Sequence, residues 1–330
     1  MFKLTLIKPT VQYDITTLVG GFSWDSEFTV TSTLEFDVVN GDTRFFPKNP
    51  CDVGDMVILS KGEEEIFRGI LTEEEKKGRD AITYRANDFS WYLGQSKSVY
   101  QFNGISATDA ITRILNDFGI SIGSILTMPT VIDKIYILET PGKIIQDIID
   151  KVGKHEGYAI NGEMREGKLY LEKRNDLLIE GQFKLTEDSN YNVTDAIGDP
   201  QRKRSIEEMR NRIKLIVDDE ETEYEITAEA EDNSLIERYG LIEETIKIDA
   251  EDAAKSRQVV KNLLRQLGRV HETVRIKLMG DIRFKSGRLF DVIEPVTGIN
   301  NRFMIVSVKH QVSNQIHTME LELVLPEGVA

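Results

Sequence analysis

Four histidines, one cysteine and two tryptophans are the residues whose chemistry is scarce enough in this chain to mark a site. His155 and His271 are each followed by Glu, but neither has a second His four residues on, so the paired-histidine zinc helix is absent. His310 and His317 flank Ser313, Asn314 and Gln315, which read as a hairpin turn. Across such a turn the two rings approach, either as a weak two-histidine metal site or as two strand-end histidines. Ser23 lies in Gly20-Gly21-Phe22-Ser23-Trp24, the outline of a nucleophile elbow, but Asp25 stands where the second glycine belongs. A glycine-rich loop ending on an aromatic anchor is the better reading. Cys51 follows Pro50 with Asp52 and Asp55 nearby, a setting that raises a thiol pKa and leaves the sulfur unactivated.

The remaining routes to catalysis are compositional. Neither a phosphate-binding P-loop nor a dinucleotide glycine fingerprint occurs. The 56 acidic residues supply carboxylate pairs for a glycosidase in any number, and sequence spacing does not measure their separation. Trp24, Trp91 and Tyr92 form either a sugar-stacking surface or packing anchors at strand ends. The sequence therefore assigns no catalytic, cofactor-binding or metal-binding residue.

Charge and hydropathy narrow the class. A net charge of -15 argues against a basic reader of nucleic acid, because neutralising phosphates takes surplus Lys and Arg on the binding face. The same charge suits a surface that must pass nucleic acid without holding it. No apolar run reaches the roughly 18 residues of a membrane span, and the start MFKLTLIKP alternates like a strand. A single cysteine excludes an internal disulfide and fits synthesis in a reducing cytoplasm.

The elements that would position these residues are mostly strands. Leu34, Phe36 and Val38 alternate with polar residues and extend a pattern begun at Phe28 and Val30. Asn40 to Gly54 reads as a long, turn-rich interaction loop. Ser106 and Asp109 open a helix whose apolar face runs from Ala107 to Phe118. Thr140 and Pro141 open a second, through Ile144, Ile148 and Val152. Asp249 is read as the cap of a third, ending at Gly268. Glu220 to Glu231 is dense in acidic residues, as a solvated hairpin or as an acidic patch facing a pore or a basic partner.

One pattern occurs near both ends. Gly54 opens the apolar run Met56 to Leu59, then come a Phe67-Arg68-Gly69 strand and the alternating Ile82 to Ala86. Gly287 opens Leu289 to Ile293, followed by Phe303 to Val308 and His317 to Leu323. We read an α+β, mainly β chain with two related antiparallel β-barrel-like modules and an intervening small α+β domain. The expected borders are 1–101, 102–180 and 181–330, the last with an inserted helix near 249–268. If the repeat is real, its strand orders must agree.

These residues, with Asn87-Asp88, Met209-Arg210-Asn211-Arg212-Ile213, Asp232 to Gly240 and the closing strands around His310 and His317-Thr318-Met319, make the chain resemble a family. It resembles the baseplate hub proteins of contractile phage tails, of the XkdQ type found in PBSX-like prophages and phage-tail-like bacteriocins. The resemblance spans nearly the whole chain and carries no catalytic signature. It implies a non-enzymatic homotrimer in which each subunit gives two tube-like modules, joining a hexameric tail tube to a trimeric spike and forming part of the central conduit. The implied partners are the tail tube protein, a spike or LysM-type baseplate protein and the tape-measure protein, with no specific nucleic-acid binding. The implied place is the baseplate of a phage tail or tail-like particle. The alternative is a tail-associated peptidoglycan hydrolase or wall-binding module.

Overall fold

The computed structural model describes residues 1–27, 31–39, 48–76, 81–184, 198–217, 226–248, 250–295 and 297–326. The chain begins with β1 (Phe2–Lys8), β2 (Val11–Asp14), β3 (Val19–Glu27), β4 (Ser32–Val38), β5 (Met56–Lys61), β6 (Glu64–Lys76), β7 (Ile82–Asp88) and the helical turn α1 (Tyr92–Gln95). Alternation decides which face turns inward: Leu34, Phe36 and Val38 of β4 and Ile82, Tyr84 and Ala86 of β7 are buried, while Glu35, Asp37 and Arg85 are exposed. Phe28, Val30, positions 40–47 of the turn-rich loop, positions 220–225 of the acidic run and Asp249 lie outside the described residues.

The middle of the chain holds β8 (Ser98–Ser106), α2 (Ala107–Asp117), β9 (Ser121–Ile125), β10 (Val131–Glu139), α3 (Pro141–Glu156), β11 (Ile160–Arg165) and β12 (Lys168–Lys173). Ser106 caps α2 by accepting from the Asp109 amide, and Thr140 caps α3 with Pro141 at its first position. Gly157, at φ 76°, ends α3 in the left-handed conformation a side chain resists. The helices bury Ile111, Ile114, Leu115, Ile144, Ile148 and Val152 in one hydrophobic cluster with Phe102, Ile132 and Leu169.

The last part holds β13 (Leu178–Lys184), β14 (Gly198–Ser205), β15 (Arg212–Val217), β16 (Ile226–Glu231), α4 (Asn233–Tyr239), β17 (Glu243–Ile248), α5 (Ser256–Leu267), β18 (His271–Met279), β19 (Leu289–Glu294), β20 (Ile299–Ser313) and β21 (Ile316–Val324). The third α-helix of the sequence reading is α5, which starts at Ser256 behind a 3-10 turn and has no side-chain cap. It packs on the small sheet β16-β15-β17, and Val259, Val260 and Leu263 bury against Ile213 and Leu215. More than a helix is therefore inserted between β14 and β18.

The repeat is visible in the topology. One half runs β5-β6-β7-β4-β3 and the other β19-β20-β21-β18-β14, with every neighbouring pair antiparallel. Gly54 and Gly287 both take positive φ, 93° and 79°. The Gly54 amide donates to Leu71 O at 2.7 Å and the Gly287 amide to Ile305 O at 2.8 Å. Leu71 and Ile305 donate back to the carbonyls of Asp55 and Arg288, both at 2.9 Å. Just beyond each lies a register shift, at Leu71/Glu73 and at Ile305/Ser307, so the same bulge recurs. The halves differ at the next strand, where β1 pairs β5 antiparallel and β13 pairs β19 parallel.

The two halves were expected as separate barrel-like modules, and here they share one sheet. The 15-residue β20 is long enough to pair β19 through 299–304 and β3 through 307–313, while β21 occupies its other edge. The result is a thirteen-stranded sheet whose path ends at β2 and at β14 and does not close among the described residues. No helix among the described residues is long and apolar enough to cross a membrane.

Candidate functional site

The broadest candidate is the polar face of the shared sheet. Residues in register on neighbouring strands point the same way, so the pairings read as rows. One row runs Lys277, Glu320, Lys309, Asp25, Thr33, Asn87, and a second runs Thr318, Gln311, Ser23, Glu35, Arg85, Glu73. A third begins with Arg275 against Glu322, joined at 3.0 Å. In each row a cation faces a carboxylate or a hydroxyl, and Thr83 donates to Asp37 at 2.7 Å alongside. Lys277, Lys309 and Arg85 are exposed, but each has an acid in register beside it. A phosphate approaching this wall meets charge already matched, so the surface attracts a polyanion weakly. Ser23, the one nucleophile candidate, sits in this face between Gln311 and Glu35.

Beneath the β3–β20 junction lie the two histidines that the hairpin was expected to bring together. His310 and His317 are 1% and 8% exposed, with Nδ1 of the first 3.1 Å from Nε2 of the second. His310 Nε2 lies 2.9 Å from the Phe284 carbonyl. Because a carbonyl only accepts, His310 carries its proton on Nε2, and its Nδ1 accepts from His317. Trp24 stacks on His310 at 4.5 Å and 8°, and Phe2 meets His317 edge-on at 5.2 Å. Burial, and for His310 also its partner histidine, lowers the pair to about 3 and about 4. The rings are neutral packing elements, and no group of three metal-ligating side chains occurs among the described residues. Trp24, 7% exposed, belongs to this seam and is turned away from any sugar-stacking surface. Trp91 and Tyr92 pair with each other elsewhere, edge-on at 5.3 Å.

A second polar cluster joins the middle of the chain to both halves of the sheet. Glu163 of β11 holds Lys285 at 2.9 Å, Arg288 at 2.5 Å and Arg165 at 3.1 Å. Burial alone would raise this carboxyl, but Lys285, Arg288 and then Arg165 hold it at about 2. Asp88 lines the same small cavity and is 2% exposed. It accepts from the Ser32 amide at 2.8 Å and the Ser90 amide at 3.0 Å, and burial pushes it up to about 6. Two carboxyls driven apart in pKa within one cavity are the pattern of an acid–base pair. Here the cavity holds about 30 Å³, room for about one water and not for a sugar ring, and both carboxyls are fully engaged by protein donors. Sequence reasoning missed this cluster because Gly162-Glu163, Asp88 and Lys285-Ser286 are far apart in the chain.

The other candidates disperse. Cys51 is half-buried against the cluster that Leu4, Leu59, Leu71 and Tyr84 form in the first half of the sheet, and burial, then Asp55, pushes its thiol up to about 12. His155 Nδ1 is 3.5 Å from Lys255 Nζ, and His271 Nδ1 is 3.8 Å from Glu208.

Comparison with known proteins agrees with this architecture. The model of the YqbQ-like family matches residues 22–324. The chain is 25% identical to the uncharacterized protein YqbQ of Bacillus subtilis (strain 168) over 285 residues, covering 84% of each. It is 24% identical to the phage-like element PBSX protein XkdQ of the same organism, covering all of both chains. Among solved structures it is similar to the 43 kDa tail protein of prophage MuSo2 from Shewanella oneidensis, with TM-score 0.74, 14% identity and coverage of 99% and 100%. That likeness shows a shared fold. With a family model spanning nearly the whole chain, this protein belongs to the YqbQ-like family.

Proposed function

We propose that the chain is a structural tail component serving as the baseplate hub of a contractile phage tail or tail-like particle. In this reading it joins a hexameric tail tube to a trimeric spike as a homotrimer, and the polar sheet face is part of the central conduit. The observation that carries it is the internal repeat: five strands in one order, twice, with the same glycine and bulge. Three such chains present six similar units on a three-fold axis, which matches a six-fold tube to a three-fold spike. The strands β2 and β14, which end the path of the sheet among the described residues, suit head-to-tail closure of a ring. We assign the tube-like units to 1–101 and 181–330 and a lateral domain to 102–180, facing spike or LysM-type, tape-measure and tube partners. The names of its relatives, a PBSX element protein and prophage tail proteins, support a place in the tail.

Light scattering of the purified chain, alone and with its tube protein, tests the reading. A trimer, or a ring seen by negative-stain microscopy once tube protein is added, is expected. A monomer at high concentration that also fails to form a ring with tube protein overturns it.

A further inference from the structure

A crevice of about 590 Å³ opens between the start of β1 and the Gly20–Phe22 stretch of β3, with His317 on its inner side. Its walls are apolar: Phe2 and Phe22 meet edge-on at 5.5 Å, with Val19 and Val312 beside them. The floor is bare backbone. In the β3–β4 ladder Val19 pairs Val38 and Phe22 pairs Phe36, so Gly20 and Gly21 bulge together opposite Asp37, and pairing with β20 stops at Gly21. A Cβ built at Gly20 meets nothing within 4 Å, so the glycine faces open space.

The rim is polar and unsatisfied. Lys61 is exposed, with its ammonium 5.3 Å from the centre of the Phe2 ring, and has no ion-pair partner among the described residues. The nearby acid that feels its charge, Asp281, is held by Arg283 at 2.6 Å. Asn314 and Gln315, in the positive-φ turn between β20 and β21, also line the opening, and their side-chain amides have no partner among the described residues. An unpaired cation above an aromatic wall selects a carboxylate attached to something apolar. Free amides and a bulged strand whose pairing with β20 ends at Gly21 select a chain that brings its own N–H and C=O groups, which a lipid tail does not.

We propose that this crevice docks an extended peptide segment of a partner protein, seating a bulky apolar side chain against the wall that Phe2 and Phe22 form together and a neighbouring carboxylate on Lys61. The proposal stands apart from the hub reading, since a chain that bound such a peptide but stayed monomeric and formed no ring with tube protein would refute one and keep the other.

The test is fluorescence anisotropy of the full chain with a fluorescein-labelled peptide, Ser-Gly-Thr-Leu-Phe-Glu amide, and its counterpart ending in Gln. Saturable binding is expected, weakened about tenfold or more when Glu becomes Gln or when Lys61→Glu is introduced, the size of one lost charge contact. Gly20→Leu fills the crevice without touching the fold and is expected to abolish binding. Both variants are exposed changes whose folding is checked by an unchanged melting temperature. Absence of saturation at millimolar protein, binding indifferent to both variants, or displacement of the peptide by octanoate but not by unlabelled peptide overturns the proposal.

Discussion

Protonating either ring of the His310–His317 pair puts a charge among buried aromatic neighbours, Trp24 and Phe2, and the backbone acceptors beside the rings, Phe284 for His310 and Gly280 for His317, offset little of that cost. The folded pKa values, about 3 and about 4, lie below the ordinary 6.5, so the folded state binds fewer protons than the unfolded one across that window. Their contribution to stability is complete above pH 6.5 and is lost as pH falls toward 4, on the order of 3 kcal/mol at pH 4 for His310 alone. Asp88 has the opposite sign: raised to about 6, it contributes below pH 3.8 and loses that contribution as pH rises through 6. Urea midpoints of the chain and of His310→Gln between pH 7 and pH 4 separate these effects, and the variant should show the shallower acid loss. Glu163→Gln should cost about 1–3 kcal/mol, because Lys285 and Arg288 stay half-buried without their counter-charge. Adding Lys285→Met and Arg288→Leu to that variant should recover part of the loss, read as a melting temperature above that of the single variant.

The strands and helices were legible in proportion to how local their causes are. Alternation fixed β4 and β7, and the Ser106 and Thr140 caps placed α2 and α3. The two opening glycines were visible as letters, and the structure adds their shared φ, amide acceptor and bulge. Gly54→Ala should cost about 1–2 kcal/mol from backbone strain alone, since its Cβ meets open space. Gly287→Ala should cost more, because its Cβ lands 1.8 Å from the Asn161 carboxamide, and chemical denaturation of the two variants compares them directly. What the sequence could not disclose was the β3–β20 pairing, which joins residues nearly the length of the chain apart through a strand with two partners on one edge. Pairing register at that distance leaves no periodicity to read. The sheet β16-β15-β17 was hidden for a related reason: β15 pairs β17 in parallel across an intervening helix. The histidine pair was half legible, as the hairpin predicts the approach of the rings but not the tryptophan that covers them.

At the scale of the whole molecule, net charge and surface charge are distinct quantities. The chain carries -15, yet the polar face of its sheet sets cation against carboxylate row by row. Glu35, Asp37 and Glu320 are exposed, and changing all three to Lys should leave the fold intact. It should also create duplex DNA binding that falls steeply with salt, where the unmodified chain retains little DNA in a filter assay. Retention of DNA by both proteins at equal salt would show that the matched rows are not what keeps the face inert. The β3–β20 pairing has a mechanical consequence. Seven residue pairs, from Glu27 opposite Ser307 to Gly21 opposite Ser313, tie the two halves directly, beside the folded segment from β8 to β12 that connects them along the chain. A pull entering through one half leaves through the other in shear along those rungs, so the chain transmits displacement as a stiff beam and a tug on either end is felt at both.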